Sequence, residues 1–507
     1  MKIANNILSE YYGRLTSRMK KAAEHPEIFQ DECFAGLLKA GRRTSFGKEH
    51  DFVNIRGINS FRRNVPIREY DDFVPYIDRI RKGEDYVLWD QKVKWFAQSS
   101  GTSSGKSKFI PITPDSLNLT HYGGFKRMIL SYLLRHPDSK ILSGAALTLG
   151  GSVKPDVLNG KGIFSGDLSA VLLKNSPAIV ELIRTPKRET ALMEDFDGKV
   201  ERICRESTKR NVTSFSGVPS WNLIMLERVL RYTGKKDIRE IWPNLELFMH
   251  GGINFAPYKK LFEEIISGED MHYLENYNAS EGYFAFQDDE NNDSMLLTTD
   301  NGIFYEFIPM NEFDDVMSGR RTDIPLLGDV SEGINYAMVI STCGGLYRYL
   351  IGDCVTFSST RPYRIKITGR TKLYINAFGE ELMIGNAEKA IAAACEKTDC
   401  TISNYTVHPV FMNNKSKGRH EWLIEFAKEP ADPEKFAEEL DRQVALHNSD
   451  YEAKRRNNAT MLSLKMVKLK KGTFYKWMEQ KGKIGGQNKV PRLCRDSKIA
   501  NELIKLQ

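Results

Sequence analysis

The sequence predicts a mixed α/β protein in which a large N-terminal domain of several sheets and helices precedes a small α+β C-terminal domain. Residues 1–90 have a mostly helical pattern, and between about 140 and 360 short apolar runs alternate with helical stretches, a mixture typical of α/β architecture. Further along, Asp432-Pro433 opens an amphipathic helix, and residues 462–466 alternate as a half-buried strand. These late elements predict a separate α+β unit.

The patterns place the division between the two domains near Gly369-Arg370, giving residues 1–368 and 369–507. The chain has 507 residues, of which 41% are hydrophobic and 27% charged. This balance is that of a globular chain with a deep core, and it excludes a fibrous or largely disordered protein.

The N-terminus, the apolar runs and the cysteines all favour the cytoplasm. No apolar stretch of the signal-peptide type stands in MKIANNILSEYYGRL, and no run approaches the roughly 18 residues of a membrane span. The seven cysteines are scattered and never spaced C-x-x-C, which argues against a disulfide framework or a zinc site. We therefore expect a cytoplasmic protein without a membrane partner.

The positive charge is concentrated near the C-terminus. Residues 454–495 hold thirteen lysines and arginines against one acid, Glu479, whereas the rest of the chain has 60 basic and 65 acidic residues. Such a block could bind nucleic acid, approach a phosphorylated small molecule or form a solvated face. The charge alone does not choose among these three.

A loop rich in glycine and hydroxyl groups, SSGTSSGKSK at residues 99–108, follows the strand-like segment 93–98. Glycines let backbone N–H groups turn toward an anion, and hydroxyls and lysines add donors. The spacing is not that of a P-loop, because three residues separate Gly101 from Gly105 and a second strand, 109–112, follows. The sequence predicts a phosphate-holding hairpin, with a flexible linker as the alternative. Thr113-Pro114 then starts a helix.

Two further motifs carry carboxylates. In YNASEG, residues 277–282, Glu281 beside Ser280 suits a Mg²⁺ ion held against phosphate oxygens, although a lone glutamate is more often a surface residue. In LYRYLIGD, Asp353 ends a β-rich stretch and could accept hydrogen bonds from ribose hydroxyls. The alternative is that Gly352-Asp353 only makes a turn.

Taken in order, SSGTSSGKSK, YNASEG, LYRYLIGD and a terminal QNKVPR at residues 487–492 resemble the auxin-responsive acyl acid amido synthetase family. This family lies within the adenylate-forming, firefly-luciferase-like superfamily. GVPSW at 217–221 and His250-Gly251-Gly252 are supporting matches. The resemblance implies an adenylate-forming N-terminal domain closed by a mobile C-terminal lid.

The resemblance implies an ATP- and Mg²⁺-dependent ligase that adenylates a carboxylic acid and transfers the acyl group to an amine, with an amino acid as the expected acceptor. No nucleic acid partner is expected. Its catalytic residues would be Lys489, on the nucleotide phosphate, and Glu281, as the Mg²⁺ ligand. The residues expected at the nucleotide are Ser99, Ser100, Gly101, Thr102, Ser103, Gly252, Tyr277, Ser280, Asp353 and Arg370.

Two departures separate this chain from the plant members, which usually carry an arginine where Leu350 stands and a hinge that differs from residues 376–381. Plant substrate preferences are therefore not carried over. The acyl pocket is expected near His121, Tyr122, Phe215 and His250, for which ordinary packing is the alternative. An acyl-CoA ligase, a basic nucleic-acid-binding protein and a nucleotide-binding scaffold without turnover remain the alternative functions.

Overall fold

The computed structural model describes residues 2–99, 108–151, 153–155, 162–252, 255–371, 374–375, 382–410, 418–448, 451–452, 455, 461–482, 489–494 and 496–507. The first part of the chain is helical, as predicted. Its helices are α1 (Lys2–Glu24), α2 (Pro26–Gly41), α3 (Ser45–Glu49), α4 (Ile58–Asn64) and α5 (Tyr70–Arg81).

The predicted hairpin around the glycine-rich loop is present. Strands β1 (Trp95–Ser99) and β2 (Lys108–Ile112) pair antiparallel, with Ser99 opposite Lys108. The predicted cap follows, since Thr113 Oγ1 accepts a hydrogen bond from the backbone N–H of Ser116 at 2.9 Å. A π-helical turn, Ser116–His121, then leads into α6 (Tyr122–Arg135). These local features could be predicted from the sequence because each depends on residues that are close together in the chain.

Two sheets of the large N-terminal part carry residues of the candidate active site. Strands β1 and β2 form a four-stranded sheet in the order β2-β1-β5-β4, with β4 (Val153–Pro155) and β5 (Phe164–Gly166). The larger sheet has 11 strands among the described residues, in the order β12-β13-β14-β15-β11-β10-β9-β8-β7-β3-β6. Its strands are β3 (Ala145–Thr148), β6 (Arg184–Thr185), β7 (Val212–Gly217), β8 (Leu247–Gly251), β9 (His272–Ala279), β10 (Gly282–Phe286), β11 (Met295–Leu297), β12 (Ile303–Pro309), β13 (Asn335–Thr342), β14 (Tyr349–Thr360) and β15 (Tyr363–Arg370).

Parallel pairing joins β6, β3, β7, β8 and β9, and antiparallel pairing joins the other strands of the large sheet. Helices connect the parallel strands and cover them, because parallel strands need crossover connections. Residues 336–342 of β13 are all buried, which explains their continuous apolar pattern. The helices of this region are α7 (Leu168–Asn175), α8 (Arg188–Ala191), α9 (Phe196–Ser207), α10 (Pro219–Thr233), α11 (Ala256–Ile265) and α12 (Phe313–Met317).

After β15 the chain forms the predicted α+β unit. Strands β16 (Tyr374–Ile375) and β17 (Leu382–Met383) pair with each other, and β18, β19 and β20 form a second sheet. Asp432 caps α14 by accepting from the N–H groups of residues 434 and 435. Of the stripe predicted for that helix, Phe436, Leu440 and Val444 are buried, whereas His447 is half-buried. The remaining elements are α13 (Ile384–Thr398), β18 (Thr401–Val410), β19 (Arg419–Lys428), α14 (Pro433–His447), β20 (Lys465–Leu469), α15 (Thr473–Gln480) and α16 (Lys498–Ile504).

Three sequence-based boundaries were wrong. The strand expected at residues 462–466 is β20, which begins three residues later. The apolar pattern before YNASEG predicts a short strand over residues 273–275, whereas β9 spans His272–Ala279. Gly352-Asp353 neither ends a strand nor makes a turn, because β14 runs on to Thr360. In each case the pairing partner, which lies elsewhere in the sequence, determines the length of the strand.

The remaining global features concern the cysteines and the helix lengths. All seven cysteines are free in the structure, as their scattered spacing predicts. None of the helices that the structure describes combines the length and the apolar character needed for a membrane span.

Candidate active site

The bulge in β14 positions Asp353. The register between β13 and β14 shifts across residues 350–354, where β14 has extra residues. Gly352 lies in this bulge with φ of +89°, a backbone conformation that glycine adopts without a steric penalty. The side chain of Asp353 is 11% exposed. A bulge commonly re-aims a side chain in this way beside functional sites.

Two side chains hold the carboxylate of Asp353. Tyr277 Oη, at the far end of β9, donates a hydrogen bond to Oδ2 at 2.5 Å. Arg370 Nε, the last residue of β15, donates to Oδ1 at 2.6 Å. Burial and the nearby carboxylate raise the pKa of the Tyr277 hydroxyl, and the same carboxylate raises the pKa of Arg370. Tyr277 therefore remains a neutral donor and Arg370 a cation, which fixes Asp353 as an acceptor.

Glu281 lies in the two-residue turn that joins β9 to β10, with Ser280 as the other turn residue; both are buried. Tyr349 Oη donates to Oε1 of Glu281 at 3.3 Å, and Lys108 Nζ donates to that Tyr349 oxygen at 3.4 Å. Burial raises the pKa of the Glu281 carboxyl, and the charge of Lys108 opposes this shift. The long hydrogen bond leaves lone pairs of the carboxylate available to a cation.

Lys489 joins the C-terminal unit to this region. Its Nζ donates a hydrogen bond to the carbonyl oxygen of Gly252, which has φ of +81°. This positive φ favours glycine, and a Cβ at position 252 would lie 2.9 Å from that Nζ, so a larger residue would displace the end of the lysine side chain. Burial, together with the positive charge of Arg370, lowers the pKa of Lys489 to about 8.

Arg492 reinforces the same junction. Its Nη2 donates to Tyr258 Oη on α11 at 2.8 Å, and its guanidinium lies 4.6 Å from the ring centroid of Tyr405. Lys489 and Arg492 both belong to QNKVPR and to the basic segment 454–495. Part of the excess positive charge therefore faces the candidate site rather than solvent.

The predicted acyl-pocket residues have different surroundings. His121 is buried, and its Nδ1 lies 3.0 Å from the side-chain oxygen of Asn278, the neighbour of Tyr277 on β9. Its Nε2 is buried without a hydrogen-bond partner. Burial lowers the pKa of His121 to about 4, so the ring is neutral at physiological pH. Tyr122 Oη donates to the carbonyl oxygen of Leu172 at 2.7 Å.

Phe215 and His250 are buried among aromatic rings. Phe215 stacks on Phe248 at 4.3 Å, and His250 stacks on Phe255 at the same centroid distance. Burial lowers the pKa of His250 to about 3. Phe215 lies in the apolar core beside β7 and β8, where packing accounts for its position.

Four residues expected at the phosphates, Ser100, Gly101, Thr102 and Ser103, lie outside the described residues, and Ser99 is the last residue of β1. The structure brings Tyr277, Asp353, Arg370, Lys489 and Gly252 together in one network of contacts and charges. Lys108, Tyr349 and Tyr258 were missed. The first two stood inside quoted motifs, whereas nothing in the sequence singled out Tyr258.

Solved structures with this fold are adenylate-forming enzymes. An acyl acid amido synthetase named AtGH3.15, solved with 2,4-DB, superposes with a TM-score of 0.79 at 18% identity, covering 97% of this chain and 96% of that structure. A 2-hydroxyisobutyryl-CoA ligase superposes with a TM-score of 0.61 at 13% identity, covering 96% and 92%. The chain therefore has the adenylate-forming fold, as predicted.

Sequence comparison identifies the family. The GH3 family N-terminal, central and C-terminal domains match residues 15–271, 296–370 and 385–498, and the chain belongs to the GH3 family. A relative from Arabidopsis thaliana, 4-substituted benzoates-glutamate ligase GH3.12, is 23% identical over 96% of both chains. Indole-3-acetic acid-amido synthetase GH3.10 of the same plant is 25% identical over 85% of each. The predicted class, a ligase that forms an amide through an acyl-adenylate, is confirmed.

Proposed function

We propose that this chain uses ATP to join a small carboxylic acid to the amino group of an amino acid, in the cytoplasm. The observation that carries the proposal is the junction of Lys489 with Gly252, within the electrostatic reach of Arg370 and Asp353. Lys489 lies 237 residues from Gly252 in the sequence, and the fold brings it close to the Arg370–Asp353 pair. Two cationic side chains near one another suit a ligand with several negative charges.

In the first step a carboxylate oxygen of the acid attacks the α-phosphorus of ATP, and pyrophosphate leaves. Negative charge develops on the phosphoryl oxygens, so fixed cations stabilise the transition state. Lys489 is proposed to supply this cation at the phosphate, and Asp353 to accept hydrogen bonds from the ribose. Arg370 and Tyr277 are proposed to hold Asp353 in the required orientation.

Glu281 has the properties expected of a Mg²⁺ ligand. Its carboxylate is buried, accepts a 3.3 Å hydrogen bond from Tyr349 and has a pKa raised by burial, so a cation would relieve the cost of its charge. Mg²⁺ usually takes one or two protein carboxylates and keeps several waters. When bound, the ion would neutralise phosphate charge, and Lys108, beside Tyr349, is proposed to face the same phosphates.

In the second step an amine nitrogen attacks the acyl carbonyl carbon, the amide forms, and AMP leaves with the shared oxygen. We propose the domain division 1–368 and 369–507, with the second domain closing over the nucleotide to exclude water. The contacts of Lys489 and Arg492 with the large domain are compatible with a closed arrangement. Transfer to a thiol, as in the CoA ligase with the same fold, is the alternative second step.

The test is pyrophosphate exchange into ATP, with Mg²⁺ and a panel of aryl and alkyl acids. We expect exchange that requires one of the acids and that falls about 10²-fold or more in Lys489→Ala. Lys476→Ala, an exposed lysine of the same C-terminal unit, is the matched control and should exchange normally. Full exchange by Lys489→Ala would refute the assignment of this residue.

The acceptor is then identified with the acid that supports exchange. Adding amino acids one at a time should give stoichiometric amide and AMP, whereas CoA should give no thioester. Thioester formation without amide formation would instead establish the CoA ligase reaction.

A further inference from the structure

A cluster of two histidines and one glutamate lies far from the candidate active site, and we refer to it as the His-His-Glu cluster. His136 follows the last residue of α6, His272 is the first residue of β9, and Glu290 lies in the segment between β10 and β11. One ligand atom from each residue lies within 4.8 Å of the other two. All three side chains are about three-quarters buried, with exposures of 24%, 25% and 24%.

The distances within the cluster match those among the ligands of a transition metal. Oε1 of Glu290 lies 2.8 Å from Nε2 of His136 and 3.7 Å from Nδ1 of His272. Ligand atoms at about 2.1 Å from a tetrahedral zinc ion are separated by about 3.4 Å, between these two values. The two imidazole centroids are 4.3 Å apart, so both rings lie within reach of one ion.

The Nε2 atom of His136 is buried and makes no hydrogen bond, although the carboxylate oxygen is only 2.8 Å away. The carboxylate oxygen therefore does not lie along an N–H direction. A buried nitrogen without a hydrogen-bond partner, next to a carboxylate oxygen, is costly unless a further group satisfies both. A cation between the two atoms would do so.

The surroundings of the cluster orient its ligands. Arg135 lies 3.6 Å from the other oxygen, Oε2, of Glu290 and pairs with Asp289 at 2.8 Å, which leaves Oε1 facing the histidines. Tyr132 packs on both imidazoles, with centroids at 4.5 and 5.5 Å, and its hydroxyl donates to Glu246. The last carbonyl groups of α6 add a partial negative charge.

We propose that the His-His-Glu cluster binds one Zn²⁺-class divalent ion through His136, His272 and Glu290, with water at a fourth position. Two imidazoles and a carboxylate suit zinc and its neighbours, and Mg²⁺ prefers oxygen ligands alone. This proposal departs from the sequence-based expectation, which argued against a zinc site from the cysteine spacing and did not consider histidines.

The ion would act as a brace for the scaffold of the candidate active site. β9 runs from His272 to Ala279, so the cluster and the turn with Glu281 lie at opposite ends of that strand, roughly 23 Å apart. α6 likewise runs from the neighbourhood of His121 to His136. Joining the far ends of both elements stabilises the parts of the protein that position Tyr277 and His121.

The test is a titration of the full chain with Co²⁺ in excess Mg²⁺, followed by visible absorption. We expect one Co²⁺ per chain, with the bands of a tetrahedral nitrogen and oxygen site and without thiolate charge transfer, and full displacement by Zn²⁺. In the same excess of Mg²⁺, adding Zn²⁺ should raise the unfolding temperature of the protein further.

Variants assign the ligands. His136→Ala and His272→Ala should each lose saturable binding, and Glu290→Gln, which keeps the shape of the side chain, should weaken it about tenfold or more. The matched control is His25→Ala, which removes an exposed histidine 3.7 Å from Glu27 and should bind normally. Binding that survives His136→Ala and Glu290→Gln, thiolate bands, or absence of saturable binding would each overturn the proposal.

Discussion

Arg370 donates a hydrogen bond from Nε to Oδ1 of Asp353 across 2.6 Å, and the same two residues are register partners, Asp353 near the start of β14 and Arg370 at the end of β15. β15 ends at Arg370, and the chain then leaves the large sheet for the C-terminal unit. The carboxylate proposed for the ribose is therefore tied to the point where the proposed domains meet. Nucleotide binding and movement of the second domain would therefore both affect the Arg370–Asp353 ion pair.

Asp353→Asn should raise the KM for ATP by about tenfold or more. The variant keeps the shape of the side chain but loses the charge that pairs with Arg370, and a hydrogen bond to a charged group contributes about 1.5–3 kcal/mol. The measurement is pyrophosphate exchange as a function of ATP concentration. Asp293→Asn, which alters an exposed ion pair with Lys366, is the control and should leave the KM unchanged. An unchanged KM in Asp353→Asn would exclude Asp353 as a nucleotide ligand.

The activity should decline as the pH rises through about 8. Burial lowers the pKa of Lys489 to about 8, so its cationic form predominates below that pH and is lost above it. The apparent kcat/KM for ATP reports the free enzyme, and its alkaline limb should have a midpoint near pH 8. Bound ATP favours the cation, so the limb in kcat should lie at higher pH.

Lys489→Arg tests the origin of this limb, because a guanidinium stays charged throughout the accessible range. The variant should retain some adenylation, and its alkaline limb should disappear or move to much higher pH. A limb that stays near pH 8 would assign the titration to another group.

Local features of the fold could be predicted, whereas features that depend on distant partners could not. The β1-β2 hairpin and the caps at Thr113 and Asp432 depend on adjacent residues. The bulge at Gly352 depends on pairing with β13, and a single sequence does not show which strand is the partner. The end of β9 was missed for the same reason.

The site was predictable only where the chain resembles a known family. Spacing alone could not place Lys489 beside Gly252, because the contact spans 237 residues and requires the second domain. Lys108 donates a hydrogen bond to Tyr349, which donates one to Glu281. The sequence does not show these contacts, because they require β2, β14 and the turn after β9 to be adjacent in the fold. His136 and His272 had no motif at all.

Glu281→Gln should weaken the binding of the Mg²⁺ ion that adenylation requires. The amide keeps the volume and can accept a hydrogen bond from Tyr349, but it is a poor ligand for a hard cation. We expect the Mg²⁺ concentration that gives half-maximal exchange to rise about tenfold or more. Tyr349→Phe should have a smaller effect, because it keeps the carboxylate and removes the 3.3 Å hydrogen bond to Glu281 and the 3.4 Å hydrogen bond from Lys108. An unchanged Mg²⁺ requirement in Glu281→Gln would show that the ion is held elsewhere.

Arg348, in the motif LYRYLIGD, stabilises the fold through a buried ion pair. Its Nε donates to Oε2 of Glu306 at 2.8 Å and its Nη2 to Oε1 at 3.2 Å, with side-chain exposures of 4% and 1%. Nη1 also donates to the carbonyl oxygen of Val65 at 2.9 Å. Arg62 pairs with Glu306 from another direction. Removing Arg348 would leave the buried carboxylate of Glu306 paired with Arg62 but not with a second arginine.

Arg348→Met should lower the free energy of unfolding by about 3 kcal/mol, because it leaves the buried Glu306 carboxylate with one fewer cationic partner. Arg348→Met with Glu306→Gln should recover part of the loss, since the second change removes that charge. Urea unfolding followed by tryptophan fluorescence measures both. Lys260→Ala, which breaks an exposed pair with Asp399, should change the stability by less than about 0.5 kcal/mol. Equal losses in Arg348→Met and Lys260→Ala would show that burial of the Arg348–Glu306 pair does not govern its contribution.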